Sequence, residues 1–356
     1  MPAARKPVRL LIVGTGGMAG NHAENFAAMP GVTLWGGVDT NPERLAAFCD
    51  RFAIANRFTS IDAALADGGF DAVTNVTPDA AHHATTMPFL KAGKHVLCEK
   101  PLATEYGPAA EMTAAAQAAG VVNMVNFTYR KVLALEAARA MVARGAIGTV
   151  RHFEASYLQS WLTQPAWGDW KTETQWLWRL SGAHGSKGVL GDVGVHILDF
   201  ATYVAGDRVE SVSCRLKTFD KAPGGRIGDY VLDANDSFVM HLGMAGGAVG
   251  VVHASRFASG HLNDLKLSIF GDKGGLEVAF ENNVSRLRAC LEPNLKSAQW
   301  RTIRTPRVPS VYDRFIAAIR GSGDGTPDFA RGAELQQVLD LAVESDAKGG
   351  LSLSVG

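Results

Sequence analysis

The residues of this chain that could do chemistry fall in a few short stretches. Gly14, Gly16 and Ala19 hold the spacing G-x-G-x-x-A within GTGGMA, with Gly17 and Met18 inside it. Gly14 permits a tight turn, Gly16 lets the backbone approach a pyrophosphate, and Ala19 is small enough for a following helix to pack on a sheet. The amino end of that helix offers its N–H groups and dipole to the phosphates. Asp39 lies 20 residues beyond Ala19, where an acid binds ribose hydroxyls. Together these residues predict a dinucleotide site. NAD is favoured over NADP, because Asp39 repels a 2′-phosphate and the one nearby cation, Arg44, reads as a solvated helix residue. Farther on, Glu99-Lys100-Pro101 follows an apolar run, and Asp192 precedes His196 by four residues. Oxidising a secondary alcohol needs a hydride acceptor and a base for the hydroxyl proton, and histidine is poised for that role near neutral pH. On a helix Asp192 and His196 share one face, one turn apart. There the acid could bind substrate or steady an imidazolium. A plainer reading is a helix-start Asp and a packed core His; Lys100 and the glycine fingerprint favour the catalytic one.

These side chains need elements to hold them. Val8 to Val13 reads as a buried strand, about Met18 to Ala28 as a helix, and Val32 to Val38 as a second strand ending at Asp39. Asn41-Pro42 starts a helix, and a short one follows from Ser60. Asp71 to Val76 is the third strand, followed by a turn at Thr77-Pro78 and a helix from Asp79 to Lys91. His95 to Cys98 and Val121 to Val125 are the fourth and fifth strands, around an alanine-rich helix from Thr104 to Ala119. Regular alternation predicts a doubly wound parallel sheet, an α/β Rossmann domain over residues 1–126. Glu99-Lys100-Pro101 then lies at the sheet's carboxyl edge, where ligands bind.

Residues 127–356 have a different rhythm. Tyr129 to Arg144 reads as one helix. Strand-like segments then dominate: Val150 to Tyr157, Val209 to Phe219, Ser237 to Leu242, Ala248 to His253, Leu265 to Phe270 and Leu276 to Phe280. They predict an α+β domain with a mostly antiparallel sheet. Between the first two lie five of the seven tryptophans, Trp161, Trp167, Trp170, Trp176 and Trp178, and then a helix carrying Asp192 and His196. Helices close the chain at Val311 to Arg320 and Gly332 to Ala347, the last returning towards the first domain.

A length of 356 residues suits two domains. Lys plus Arg equals Asp plus Glu at 35 each, which gives no general attraction to nucleic acid or anionic membranes. The four cysteines form no C-x-x-C pair and read as reduced thiols of a cytoplasmic protein. The opening MPAARKPVRLLIVG has neither a signal peptide nor a spanning segment. His184, His241, His253 and His261 lack metal-ligand spacing, and Asp192 with His196 has no evident further ligand, so no metal is expected.

GTGGMA at Gly14 to Ala19, TPDAAH at Thr77 to His82, EKPL at Glu99 to Leu102 and GDVGVH at Gly191 to His196 resemble, in order and spacing, the Gfo/Idh/MocA oxidoreductases. That family includes glucose-fructose oxidoreductase and inositol dehydrogenases. The resemblance spans nearly the whole chain. It implies a Rossmann domain, a C-terminal domain with a large open sheet, homodimers or homotetramers formed through that sheet, and NAD(P)-dependent redox chemistry on sugar or cyclitol carbons. It assigns Lys100, Asp192 and His196 to catalysis. Gly14, Gly16, Gly17, Met18, Ala19, Asp39, Thr77, Pro78, His82, Glu99 and Lys100 fall to the cofactor, with His82 beside the nicotinamide. Tyr129-Arg130 matches a variable pair, and the tryptophan-rich segment matches no general pattern of the family.

Lys100, Arg130, Trp178, Arg179, Asp192 and His196 form the expected substrate site. Asp192 accepts from hydroxyls, the cations donate, and tryptophan offers a flat apolar face. Such a set suits an unphosphorylated sugar, glycoside or cyclitol, oxidised at a secondary or anomeric hydroxyl. A phosphate would want a denser cationic cluster or another glycine-rich helix start. Two other functions fit the same features: a glycosidase that retains its NAD and works by transient oxidation, and a non-catalytic sensor of nucleotide and sugar.

Overall fold

The computed structural model describes residues 7–165 and 167–356; residues 1–6, within the stretch read for a leader, lie outside the described residues. The chain divides into two compact units, each made of two segments. One joins the residues up to Thr128 with Pro309–Gln336, and the other joins Tyr129–Val308 with Gln337–Gly356. The sequence suggested one cut near residue 126. The apolar face of a late helix explains the difference, as shown below.

The first unit alternates strand and helix: β1 (Val8–Val13), α1 (Gly17–Ala27), β2 (Val32–Val38), α2 (Pro42–Arg51), β3 (Asn56–Phe58), α3 (Ile61–Asp67), β4 (Ala72–Asn75), α4 (His82–Lys91), β5 (His95–Cys98), α5 (Tyr106–Ala119) and β6 (Asn123–Val125). The strands form one parallel sheet in the order β3-β2-β1-β4-β5-β6. Leu10, Leu11 and Ile12 are fully buried, so β1 is covered on both faces, as a central parallel strand must be. Strand β3 escaped the sequence reading because three residues, Asn-Arg-Phe, carry no periodicity. Helix α2 starts as Asn41-Pro42 requires, the Asn41 side chain accepting from the Arg44 N–H at 2.9 Å.

The second unit opens with α6 (Leu133–Ala143) and β7 (Val150–Leu158). The single helix expected over Tyr129 to Arg144 is instead a 3₁₀ turn at Thr128–Lys131 and then α6, broken where Val132 is extended. After α7 (Thr174–Leu177), a π-helical turn at Leu190–Gly194 runs into α8 (Val195–Ala205). Strands follow: β8 (Val209–Lys217), the small hairpin β9 (Arg226–Ile227) and β10 (Tyr230–Val231), β11 (Ser237–Met244), β12 (Val249–Ser255), β13 (Asp264–Gly271), β14 (Gly274–Glu281), β15 (Val284–Leu291), β16 (Arg301–Ile303) and, at the chain end, β17 (Leu353–Ser354). Eight of them join β7 in one nine-stranded sheet, β16-β15-β14-β13-β7-β12-β11-β8-β17, antiparallel except where β12 runs parallel to β7. Helix α8 packs against β7, β12 and β13, and α6 against β14 and β15.

Two helices lie between β16 and β17: α9 (Val311–Ile319) and α10 (Phe329–Ala347). Helix α9 starts at a capping box in which Ser310 and Asp313 bond each other's backbone N–H. Its Val311, Tyr312, Phe315 and Ile316 are buried with Val8, Leu10, Phe26, Ala72, Leu97 and Met124, which makes α9 part of the Rossmann unit.

Candidate functional site

In the first unit, Gly14 leaves β1 at φ +84°, and a Cβ there would stand 2.8 Å from the Val76 carbonyl oxygen. Only glycine fits, because both the left-handed backbone and the neighbouring main chain exclude a side chain. A Cβ added at Gly16 or Gly17 would meet no described atom within 4 Å. Helix α1 starts at Gly16 with no side-chain cap and no acid in its first turn. Bare N–H groups with an open approach suit the phosphates of a dinucleotide.

Asp39 follows β2 and is nearly fully buried. Its Oδ2 accepts from the Thr15 N–H at 2.8 Å and the Thr15 hydroxyl at 2.7 Å, and Oδ1 from the Asn41 N–H at 2.9 Å. Arg44 adds a two-pronged bond at 3.0 and 2.7 Å. Arg44 is a solvated helix residue, as expected, with half of its side chain exposed, and one turn into α2 it also reaches back to Asp39. Burial opposes the charge on Asp39, but these donors outweigh it and hold the carboxyl well below its ordinary range.

Glu99 and His82 also differ from expectation, since both turn inward. Glu99 accepts from His22 Nε2 at 2.8 Å, from Asn126 Nδ2 at 2.6 Å and from the Lys100 N–H at 3.1 Å. His22 is itself fully buried, with Nδ1 2.7 Å from the Thr74 hydroxyl. Burial works to raise the Glu99 pKa; the bond and charge of His22, the Lys100 charge and the Asn126 amide bring it down to about 2. Glu99 thus braces the strand end that carries Lys100. His82, fully buried, has Nδ1 2.7 Å from the Pro101 carbonyl oxygen and Nε2 2.9 Å from that of Thr77. It ties the Thr77-Pro78 turn to the Lys100-Pro101 bond, which is cis.

In the second unit, Asp192 lies on the π turn and His196 in the first turn of α8. The π turn adds a residue to the helical repeat, so the spacing of four is not that of one straight α-helix. Both glycines of GDVG are packing residues. A Cβ at Gly191 would stand 2.5 Å from that of Lys187, and one at Gly194 3.0 Å from Phe238. His196 is buried, with the Tyr129 ring edge-on at 5.0 Å. The Tyr129 hydroxyl bonds that of Tyr157 and accepts from Asn263 Nδ2 at 2.9 Å, and Asn263 Oδ1 accepts from Gln159 Nε2 at 2.9 Å. Gln159 Oε1 in turn accepts from Trp161 Nε1 at 3.2 Å. Arg256, fully buried, lies 5.0 Å over the Trp161 ring and donates to Asp192 at 3.0 Å. A continuous chain of contacts therefore leads from His196 round to Asp192. Burial, then Tyr129, push the Tyr157 hydroxyl well above its ordinary pKa, so it stays protonated as a donor.

The remaining expected substrate residues separate. Arg130 is buried, bonded by Nε and Nη2 to Asp199 at 2.6 and 2.8 Å, and stacked 3.3 Å over Tyr203. Its guanidinium is committed to that packing, against the expectation that it donates to substrate. Trp161 and Trp170 build a small core with Leu162, Leu177, Leu180 and Leu232, with Trp176 packed against it. Trp178 is exposed, and Arg179 stacks on it at 4.5 Å. No cluster of three metal-binding side chains occurs among the described residues. Nor is any described helix long and apolar enough to cross a membrane.

Residues 8–127 match the model of an oxidoreductase family with an NAD-binding Rossmann fold, and residues 135–277 match the GFO/IDH/MocA C-terminal domain. The chain belongs to the Gfo/Idh/MocA family. It is an NAD-binding oxidoreductase. Levoglucosan dehydrogenase of Pseudarthrobacter phenanthrenivorans is 27% identical, with 95% of each chain covered. A solved levoglucosan dehydrogenase in complex with NADH and levoglucosan superposes with a TM-score of 0.86 at 26% identity, covering 98% of this chain and 100% of that one. An oxidoreductase domain protein from Kribbella flavida gives 0.87 at 31% identity, covering 99% and 100%.

Within this Gfo/Idh/MocA oxidoreductase, sequence reasoning missed His22, Asn126, Tyr157, Asn263 and Arg256. The first four are polar residues inside helix, strand or loop patterns, and their partners are far off in the chain. Arg256 carried one signal: an arginine set directly after an alternating apolar strand, between Ser255 and Phe257.

Proposed function

We propose that this oxidoreductase oxidises a secondary or anomeric hydroxyl of an unphosphorylated sugar, glycoside or cyclitol, with Lys100, Asp192 and His196 as the catalytic group. The observation that carries the substrate class is the pairing of cations: Arg256 is matched by Asp192 and Arg130 by Asp199. Such neutralised arginines favour a hydroxyl-rich neutral ring over a phosphate. The levoglucosan dehydrogenase relative supports the same class.

In this reading Gly14 to Ala19 and the start of α1 hold the pyrophosphate, Asp39 the adenosine ribose, and Thr77, Pro78 and Lys100 the nicotinamide end. Bound NAD⁺ supplies the hydride acceptor. Asp192 accepts a bond from a substrate hydroxyl, Lys100 Nζ donates to the reacting oxygen, and the His196 imidazole takes its proton as the carbonyl forms. His82 and Glu99, turned inward, keep the Lys100 segment in place. NAD is preferred over NADP, because Asp39 repels a 2′-phosphate while Arg44 is held on it.

The test is a screen of neutral rings (levoglucosan, aldoses, inositols and glycosides) with NAD⁺, following NADH absorbance. Stoichiometric NADH release with a neutral ring is expected, and removing a hydroxyl beside the reacting carbon costs activity steeply. Acyclic alcohols or sugar phosphates outperforming every neutral ring would overturn the substrate class.

A further inference from the structure

Arg256 sits just past β12 and belongs to none of the four motifs. It is fully buried and held on several sides. Nη2 donates to Asp192 Oδ2 at 3.0 Å, Nη1 to the Arg179 carbonyl at 3.1 Å, and the backbone N–H to the Asp236 carbonyl at 3.0 Å. The guanidinium lies 5.0 Å over the Trp161 ring. Asp192, by contrast, keeps 31% of its side chain exposed. One partner is thus fixed and dry, while the other stands at an accessible edge on a π turn, a geometry that recurs at functional sites.

We propose that Arg256 is a positioning residue of the oxidoreductase reaction. It anchors Oδ2 of Asp192 and so fixes the orientation of the carboxylate. The inference rests on the reading of Asp192 as a member of the catalytic group. A fork that spans a carboxylate and a carbonyl requires the planar guanidinium, and a lysine ammonium does not reproduce it. Replacing only one partner of a buried ion pair costs stability, because the other charge is left uncompensated. Asp192 keeps 31% of its side chain exposed, so water can reach the vacated oxygen, and kcat of the folded variant is read separately from its stability.

The experiment is a double-mutant cycle of Arg256→Met and Asp192→Asn, using NAD⁺ and the most active ring from the screen. Arg256→Met is expected to lower the unfolding midpoint yet stay folded at the assay temperature, keep its NADH affinity, lower kcat about tenfold or more, and add no further loss of kcat in the Asp192→Asn background. Arg256→Lys should fail to restore the rate. If Arg256→Met does not fold, Arg256→Gln takes its place with the same expectations. Near-normal kcat in Arg256→Met, or losses that simply add, overturn the proposal. A crystal structure of Arg256→Met gives a readout without substrate: a carboxylate of Asp192 that has moved supports the proposal, and one unmoved overturns it. Full turnover by Asp192→Asn instead refutes the catalytic reading of Asp192; a slow Arg256→Met in that event also overturns this inference, since Arg256 would then act elsewhere.

Discussion

A neutral imidazole carries one N–H, yet both ring nitrogens of His82 face carbonyl oxygens, those of Thr77 and Pro101. The ring in this bridge is therefore an imidazolium. Burial opposes its charge, but Cys98, Asp79 and the Pro101 carbonyl outweigh burial and push its pKa from 6.5 up to about 9. The folded value lies above the unfolded one, so the stabilisation is fully present below about pH 6.5 and is lost as pH rises through about 9. Linkage through this upward shift gives a stabilisation on the order of a few kcal/mol at pH 7 and almost nothing at pH 10. Other groups titrate over the same range, so the informative quantity is the difference between wild type and His82→Gln in urea unfolding from pH 6 to pH 10. That gap should be on the order of a few kcal/mol at pH 7 and shrink as pH rises to 10. A gap independent of pH, or a ¹⁵N spectrum showing a neutral His82 ring at pH 7, would refute the reasoning.

Three further outcomes follow from the same geometry. Asp39→Ser should narrow or reverse the ratio of kcat/KM for NAD over NADP, because Arg44 loses its partner and turns to the 2′-phosphate; an unchanged ratio would sink this. His196→Ala should lower kcat by roughly 10²–10⁴-fold with NADH affinity unchanged in a fluorescence titration, and near-normal turnover would move the base role to Lys100. Gly14→Ala forces a left-handed residue, at about 1–2 kcal/mol, and a Cβ against the Val76 carbonyl. It should lower both the thermal midpoint and NADH affinity, and a variant unchanged in both would show that the loop yields.

Much of this was legible in the chain because local rules and tertiary demands coincide. Gly14 has to be glycine for its turn, and Asn41-Pro42 both caps and starts α2. The alternation of β11 and β12 marks a half-covered sheet. Legibility failed where a side chain's partner lies far away. Nothing near Arg256 shows that Asp192, 64 residues earlier, will neutralise it. Likewise, Glu99 looks like a ligand-edge carboxylate until His22 and Asn126 are placed beside it. Arg130 looked available because Asp199 lies 69 residues on, inside an otherwise apolar helix. The tryptophan-rich segment differs: its composition fits a core as well as a sugar platform, and Trp161, Trp170 and Trp176 serve a local core.

Helix α9 belongs to the core of the first unit, which sets an order of events during synthesis. When Thr128 leaves the ribosome all six parallel strands exist, but Phe26 and Leu10 still lack the cover that Val311, Tyr312, Phe315 and Ile316 supply. At cellular elongation rates that cover arrives roughly ten to forty seconds later. Throughout that interval the nascent nucleotide-binding half holds an apolar face open, a natural client surface for a chaperone. A chain interrupted anywhere before about residue 320 would leave that face open for good, and an isolated fragment ending at Thr128 should aggregate unless a peptide carrying residues 309–336 is added back.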